Sequence, residues 1–153
     1  MRNEISCYES NKPTVTVDPE SRRLFLKGVA SLSLAYILAD VELAKAAAHG
    51  GDTVTINADR AGKVSGYLAV PDDKNAPTVI LIHEWWGLND HMKAVAQEFK
   101  AKGFRVIAID LFKGSVASDR DGAMAQIKAL NPDEATDTMN AWVDWARQQG
   151  NGK

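Results

Sequence analysis

The sequence predicts an α/β fold in which helices cover a mainly parallel sheet. Two short, mostly apolar runs, Thr78–Ile82 and Arg105–Ile109, are rich in β-branched residues, as is typical of strands buried on both faces. A helix-length segment with apolar residues three and four positions apart lies between them. Strand, helix and strand at this spacing form a βαβ unit, whose two strands pair in parallel.

An antiparallel hairpin is predicted before this unit. Residues 52–59 and 63–70 alternate in the manner of strands, and the turn residues Asp59-Arg60-Ala61-Gly62 lie between them. The apolar side chains of each strand are predicted to lie on one face. They are Val54, Ile56 and Ala58 in the first strand, and Val64, Leu68 and Val70 in the second, with Gly66 between them.

Local signals set the helix ends. Asn89 can cap the helix of the βαβ unit, and Gly103 can end it. Residues 111–118 then form a loop at the end of a strand, and residues 119–130 form a helix. Asn131-Pro132-Asp133-Glu134 is a strong start for the last helix. The stripe predicted to be buried in that helix contains Ala135, Met139, Trp142, Val143 and Ala146.

Length and composition bound the class of protein. A chain of 153 residues suits one domain, and 45% hydrophobic with 25% charged residues suits a globular fold. The net charge is −2, with no basic block in the C-terminal two-thirds, so binding to nucleic acid or to a membrane surface has no support. Cys7 is the only cysteine, which excludes a disulfide within one chain.

The N-terminus has the features of a targeting segment. The run Ser21-Arg22-Arg23-Leu24-Phe25-Leu26-Lys27 resembles the twin-arginine export signal. The apolar run that follows, residues 28–39, is shorter than the roughly 20 residues of a membrane span, so no stable membrane anchor is expected. Ala44-Lys45-Ala46 and Ala46-Ala47-Ala48 both offer the small-x-small pattern that signal peptidase needs.

These features predict a twin-arginine signal peptide over residues 1–48 and a mature domain over residues 49–153, beginning near Ala47 or His49. Its partner would be the twin-arginine export machinery, and its location periplasmic or extracellular. The alternative is a buried amphipathic helix with an incidental arginine pair.

The predicted sheet has an unpaired side. Each of the two buried strands needs neighbours on both sides, and the hairpin can serve only one of them. An apolar edge strand exposes backbone groups and promotes aggregation. We therefore expect an incomplete domain or an obligate partner; a compact four-stranded α/β domain is the alternative.

A charged, aromatic turn follows the first buried strand at its carboxyl end, where ligands bind in α/β sheets. The run Val79-Ile80-Leu81-Ile82-His83-Glu84-Trp85-Trp86-Gly87-Leu88-Asn89-Asp90-His91 resembles the dienelactone hydrolase family of the α/β-hydrolase fold. The runs at residues 103–112 and 141–147 are also similar to this family, so the likeness extends from about Lys63 to Lys153. The resemblance implies the N-terminal portion of an α/β-hydrolase fold.

The resemblance also implies a chemistry. Family members hydrolyse lactones or small carboxylic esters through a covalent acyl-enzyme, with a Cys-His-Asp triad and no metal or organic cofactor. The cysteine lies on a G-x-C-x-G elbow, and this sequence contains neither that motif nor G-x-S-x-G. We therefore expect an inactive fragment of such a hydrolase. The alternative is a non-enzymatic exported binding module or a remnant of the hydrolase fold.

Four candidate site residues follow from the resemblance. Glu84 matches the family glutamate that contacts the resting nucleophile, and the backbone N–H of Trp85 matches one oxyanion donor. Trp86 would shape the substrate pocket, and Arg120 falls where some members bind a substrate carboxylate. The structural alternatives are an ion-paired Glu84, tryptophan rings that only pack, and an Arg120 exposed at a helix start.

Other polar residues near this turn are given structural roles. The period of two points His83 away from Glu84, which favours a structural histidine, and Asp110 is expected to order the loop after its strand. A metal site formed by His83, Glu84, Asp90 and His91 is not predicted, because helix capping explains Asn89 and Asp90. A nucleotide site is disfavoured because the turn lacks closely spaced glycines.

Overall fold

The structure is a computed structural model that describes residues 19–20, 23 and 40–149. Apart from Arg23, the twin-arginine motif and the apolar run after it lie outside these residues. The elements within residues 40–149 are α1 (Val41–Ala47), β1 (Asp52–Ala58), β2 (Gly62–Ala69), β3 (Thr78–Ile82), α2 (Asp90–Ala101), β4 (Arg105–Ile109), α3 (Arg120–Ala129) and α4 (Pro132–Gln149). None of the described helices is long and apolar enough to cross a bilayer.

The four strands form one sheet in the order β1-β2-β4-β3. The hairpin pairs β1 with β2 in antiparallel register, and β2 continues antiparallel to β4. The predicted parallel pair is confirmed: β3 runs alongside β4, with Thr78 opposite Arg105 and Ile82 opposite Ile109. The sheet is therefore mixed, and β4 lies at its interior.

Burial of the two apolar runs differs from the expectation. Every residue of β4 is buried, as predicted. The prediction that β3 is buried on both faces is wrong: its residues are half-buried, and Ile82 is 52% exposed. The physical reason is the strand order, since β3 is an edge strand of the described sheet.

Helices cover both faces of the sheet. Helix α2 covers one face, where Tyr67, Phe99 and Phe104 pack together in the core. Helix α4 covers the other, where the fully buried Trp142 packs with Val64, Ala58, Ile107 and Ile109.

Strand β2 is buried more completely than the hairpin pattern predicted. Val64 and Leu68 share one face, as predicted, and this face packs against α4. Tyr67 and Ala69 on the opposite face are buried as well. Val70, which is predicted to share the face of Val64 and Leu68, lies beyond the end of β2 and is 41% exposed. The alternation fails because β2 is an interior strand with a helix over each face.

The predicted helix ends are confirmed. The Asn89 side chain accepts a hydrogen bond from Met92 N (3.0 Å), and the Asn131 side chain accepts one from Asp133 N (2.9 Å). Gly103 follows α2 with a φ of 87°, a left-handed conformation that glycine adopts readily. Asp119 caps α3 by accepting a hydrogen bond from Gly122 N.

Helix α1 packs against α2. Ala44 is fully buried against Ala94, and the Tyr67 hydroxyl donates to the carbonyl oxygen of Ala48 (2.7 Å). The Lys100 ammonium donates to the carbonyl oxygen of Gly50. Part of the predicted signal segment, including both candidate cleavage points, is thus in contact with the domain; signal cleavage there stays a prediction.

Candidate active-site turn

The candidate site is a tight turn over residues 84–87, directly after β3. The backbone N–H of Gly87 donates to the carbonyl oxygen of Glu84 (3.1 Å), which closes the turn. Gly87 has a φ of 93°, and a β-carbon there would lie 2.3 Å from the carbonyl oxygen of Ser115. Only glycine suits this position, because the backbone is left-handed there and because a side chain would clash with the neighbouring loop.

Successive carbonyl groups of the turn are each held by a hydrogen bond. The Glu84 carbonyl also accepts from His83 Nδ1 (2.7 Å). The Trp85 carbonyl accepts from Gln126 Nε2 on α3 (3.0 Å), and the Trp86 carbonyl accepts from Ala117 N (2.9 Å). The backbone of this turn is therefore fixed by groups from two other parts of the chain.

The side chains of the turn separate as the period of two predicts. His83 is buried, its Nε2 accepts a hydrogen bond from Leu111 N (3.0 Å), and its ring lies 4.6 Å from that of Phe112. Glu84 is exposed, and it forms no ion pair within residues 40–149. The carboxylate thus lies at the surface of the turn.

The two tryptophans are half-buried and contact each other. Their ring centroids are 5.1 Å apart with an interplanar angle of 64°, an edge-to-face arrangement. The Trp85 N–H donates to no acceptor within residues 40–149. A backbone donor without an internal partner, on a turn whose carbonyls are fixed, is suited to bind a negatively charged oxygen.

Arg120 is the exposed first residue of α3. No hydrogen bond or ion pair within the described part of the chain joins it to Glu84. The structure does not bring the Arg120 guanidinium and the turn together through a direct polar contact.

Asp110 orders the loop after β4. Its carboxylate is buried and accepts hydrogen bonds from Phe112 N (3.0 Å), Gly114 N and the Ser65 hydroxyl (3.3 Å). Lys113, between the two backbone donors, has a φ of 54°, so the loop folds sharply around the carboxylate. These contacts match the loop-ordering role expected for Asp110.

A cavity of about 420 Å³ lies beside this loop. Among its lining residues are Ser115 and Gln126, whose side chains are joined by a hydrogen bond of 2.6 Å. Sequence reasoning missed both residues. Gln126 reaches the turn across 41 positions of sequence, and no local pattern signals a side chain that binds a distant backbone group.

Within the described residues, no group of three or more His, Cys, Asp or Glu side chains could hold a metal ion. His83 and Glu84 point apart, which separates two of the four residues considered as ligands.

The architecture is that of the α/β-hydrolase class. A solved structure of a candidate dienelactone hydrolase from Klebsiella pneumoniae is similar to this chain with a TM-score of 0.55 at 18% identity, over 68% of this chain and 47% of that one. The model of the family described as "Dienelactone hydrolase family" matches residues 64–153. The chain belongs to the dienelactone hydrolase family.

Curated relatives agree with this assignment. The chain is 34% identical over 92 residues to Protein usf of Aquifex pyrophilus, and 32% identical over 92 residues to a candidate carboxymethylenebutenolidase of Aquifex aeolicus. Each match covers 56% of this chain and 39% of the relative. The chain thus matches well under half the length of these relatives.

Proposed function

We propose that this chain contributes the oxyanion turn of an exported hydrolase that cleaves lactones or small carboxylic esters through a covalent acyl-enzyme. The observation that carries the proposal is the turn at residues 84–87: its carbonyls are fixed, its Trp85 N–H has no acceptor within residues 40–149, and it follows a strand of a dienelactone hydrolase domain.

The Trp85 N–H would stabilise the negative charge on the substrate carbonyl oxygen when a nucleophile attacks. Loss of one such donor typically costs about 2.7–4 kcal/mol of transition-state stabilisation. The donor is useful because the turn is already held in place before the substrate binds, so no reorganisation is needed during the reaction.

Glu84 would act on the nucleophile rather than on the substrate. The exposed carboxylate beside a resting thiol disfavours formation of the thiolate, which is the reactive form. Movement of the carboxylate on substrate binding would then activate the thiol. Attack of the thiolate on the substrate carbonyl carbon would form the covalent acyl-enzyme and break the acyl C–O bond, which releases the alcohol of an ester or opens the ring of a lactone with a proton taken up by the leaving oxygen. Water would then hydrolyse the acyl-enzyme and free the thiol and the carboxylic acid.

Trp86 and Arg120 are the proposed substrate-binding residues. The half-buried Trp86 ring borders the turn, and the exposed Arg120 guanidinium offers a cation for a substrate carboxylate. For substrates that carry a carboxylate, Arg120→Gln should raise KM and leave kcat nearly unchanged. An equal effect on a neutral ester would argue against this role.

The turn itself contains no cysteine, so it cannot supply the thiol nucleophile of the proposed reaction. Cys7 is the only cysteine of these 153 residues, and it lies in the predicted signal peptide. We expect no ester or lactone turnover above the buffer rate from the 153-residue chain, and turnover from a gene product that continues into a G-x-C-x-G strand. The assay would use p-nitrophenyl acetate and an unsaturated lactone on both products.

Two variants make this assay specific. In an active product, Glu84→Gln should alter the rate, whereas Asp121→Asn, which also neutralises an exposed acid, should not. Robust turnover by the 153-residue chain that Glu84→Gln abolishes would overturn the proposal. If the extended product also lacks activity, a binding module becomes the better reading, and a cooperative melt of a defined oligomer would support it.

Export by the twin-arginine route is part of the proposal and rests on the motif at residues 21–27. Cell fractionation of a tagged product should find the protein outside the cytoplasm, and Arg22→Lys with Arg23→Lys should retain it inside. Equal export of this double variant would argue against the route.

A further inference from the structure

His83 contacts the peptide group that carries the proposed oxyanion donor. The carbonyl of Glu84 and the N–H of Trp85 belong to the same peptide unit. Because this unit is planar and trans, its oxygen and its hydrogen point in opposite directions. A contact that fixes the direction of the Glu84 carbonyl therefore also fixes the direction of the Trp85 N–H.

Two donors hold the Glu84 carbonyl. His83 Nδ1 lies 2.7 Å from the oxygen, and Gly87 N lies 3.1 Å from it. The histidine contact is the shorter one, and it comes from a side chain that is only 8% exposed. With both donors behind the carbonyl, the Trp85 N–H points away from them, where it has no acceptor within residues 40–149.

The hydrogen bonds of His83 define its tautomer. Leu111 N donates to Nε2 at 3.0 Å, so Nε2 must offer a lone pair. The Glu84 carbonyl only accepts hydrogen bonds, so Nδ1 must carry the hydrogen. Both contacts are satisfied together by the neutral imidazole that is protonated on Nδ1, and by no other state of the ring.

We infer that His83 is a positioning residue, whose Nδ1–H bond to the Glu84 carbonyl directs the Trp85 N–H toward the oxyanion of the substrate. This inference rests on the proposed function. The ring is in turn held by Leu111 N and by its contact with Phe112, so the loop after β4 sets the direction of the donor.

Two substitutions separate positioning from simple packing. Asparagine can present its side-chain amide N–H close to the place of Nδ1, so His83→Asn retains a donor for the Glu84 carbonyl. Glutamine can reach only the place of Nε2, so His83→Gln retains a partner for Leu111 N but loses the donor. If His83 only filled space, His83→Gln should be the less damaging substitution, because the volume of glutamine is closer to that of histidine.

The first test needs no catalytic activity. Nitrogen-15 NMR of the uniformly labelled 153-residue chain should show His83, one of its three histidines, as the Nδ1-protonated tautomer. In the same spectra the Trp85 amide resonance should shift in His83→Gln and stay close to wild type in His83→Asn and in the control His91→Gln. A His83 protonated on Nε2, or a Trp85 resonance that His83→Gln leaves unchanged, would overturn the inference.

The second test uses the catalytically active product. His83→Gln should lower kcat by about 10²-fold with little change in KM, as expected for a misdirected oxyanion donor, and His83→Asn should recover most of the rate. Equal losses in both variants would overturn the positioning role. An extended product without turnover, but with the Nδ1 tautomer and the Trp85 shift, would overturn the proposed function and leave the structural link between His83 and Trp85 in place.

Discussion

The indole ring of Trp142 lies directly against the backbone of Gly66, beneath the helix α4. A β-carbon at position 66 would lie 3.0 Å from Cζ2 of this ring and 3.1 Å from the carbonyl oxygen of Ala108. Trp142 is fully buried there, together with Ile107 and Ile109. The missing side chain at position 66 therefore provides the space in which the largest residue of this core packs on the sheet.

Trp142→Ala should lower the free energy of unfolding by about 3–5 kcal/mol, because it leaves a large cavity. Trp142→Phe should cost clearly less. Within the described residues the indole N–H of Trp142 has no hydrogen-bond partner, so phenylalanine removes an unsatisfied buried donor while it keeps most of the apolar contact. Urea unfolding would measure both, with the half-buried Trp145→Phe as control. Equal costs for the two Trp142 variants would contradict this account.

Gly87→Ala tests the close approach at the candidate site. Gly62 also has a positive φ, but a β-carbon there would meet nothing within 4 Å. Gly62→Ala should therefore cost only the left-handed strain, about 1–2 kcal/mol. Gly87→Ala adds a contact of 2.3 Å with the Ser115 carbonyl, and overpacking typically costs about 1–3 kcal/mol more. Similar unfolding midpoints for the two variants would show that the Ser115 loop moves away freely.

Features that depend on neighbouring residues could be predicted from the sequence. The caps at Asn89 and Asn131 need only hydrogen bonds to residues two or three positions away, and both form. The parallel pairing of β3 with β4 also followed, because a short helical crossover permits little else. The opposite directions of His83 and Glu84 needed only the period of a strand.

Features that depend on distant residues could not be predicted. The exposed side of β3 follows from its place at the sheet edge, which its own apolar sequence does not reveal. The Gln126 contact with Trp85 and the Asp137 contact with Arg60 join residues 41 and 77 positions apart. Such polar contacts leave no periodic pattern, so the groups that hold the candidate turn became visible only in the structure.

Asp137 predicts a specific pH dependence. Its carboxylate accepts hydrogen bonds from Ala61 N (2.9 Å) and Arg60 N (2.7 Å), which join α4 to the turn of the hairpin. These bonds hold the pKa of the Asp137 carboxyl below its usual value of 3.8. Because the pKa of Asp137 is lowered in the folded protein, its contribution to the free energy of unfolding is complete above the usual pKa of an aspartate. This contribution is lost as the pH falls through the pKa of the folded state.

The measurement compares wild type with Asp137→Asn across pH. Wild type should be the more stable protein by a constant margin above about pH 5, where an ordinary aspartate is ionised, and the margin should vanish at lower pH. Asp144→Asn on the same helix is the control, since Asp144 contacts only the exposed Arg147 side chain among the described polar partners. A margin that is unchanged at low pH would exclude Asp137 as its source.

We expect the hydrogen bonds of the Tyr67 hydroxyl to hold α1 on the domain. It donates to the Ala48 carbonyl at 2.7 Å and accepts a hydrogen bond from Gln97 Nε2. Tyr67→Phe keeps the buried ring and removes both bonds, so the segment around α1 should open more often. Hydrogen exchange of the peptide spanning residues 41–50 should become faster, by about fivefold for the loss of about 1 kcal/mol, while exchange in α3 stays the same.

The pH dependence of the same exchange gives an independent check. Burial raises the pKa of Tyr67 above its usual value of 10.0, and the ionised oxygen cannot donate to Ala48. The contribution of the hydroxyl is therefore complete below pH 10 and is lost as the pH rises through the higher folded pKa. Exchange that is equal in wild type and Tyr67→Phe at neutral pH would show that the Tyr67 hydroxyl does not hold α1 on the domain.

If signal cleavage follows Ala48, the same variant should be processed faster than wild type, because the bond to be cut lies beside the carbonyl that Tyr67 holds.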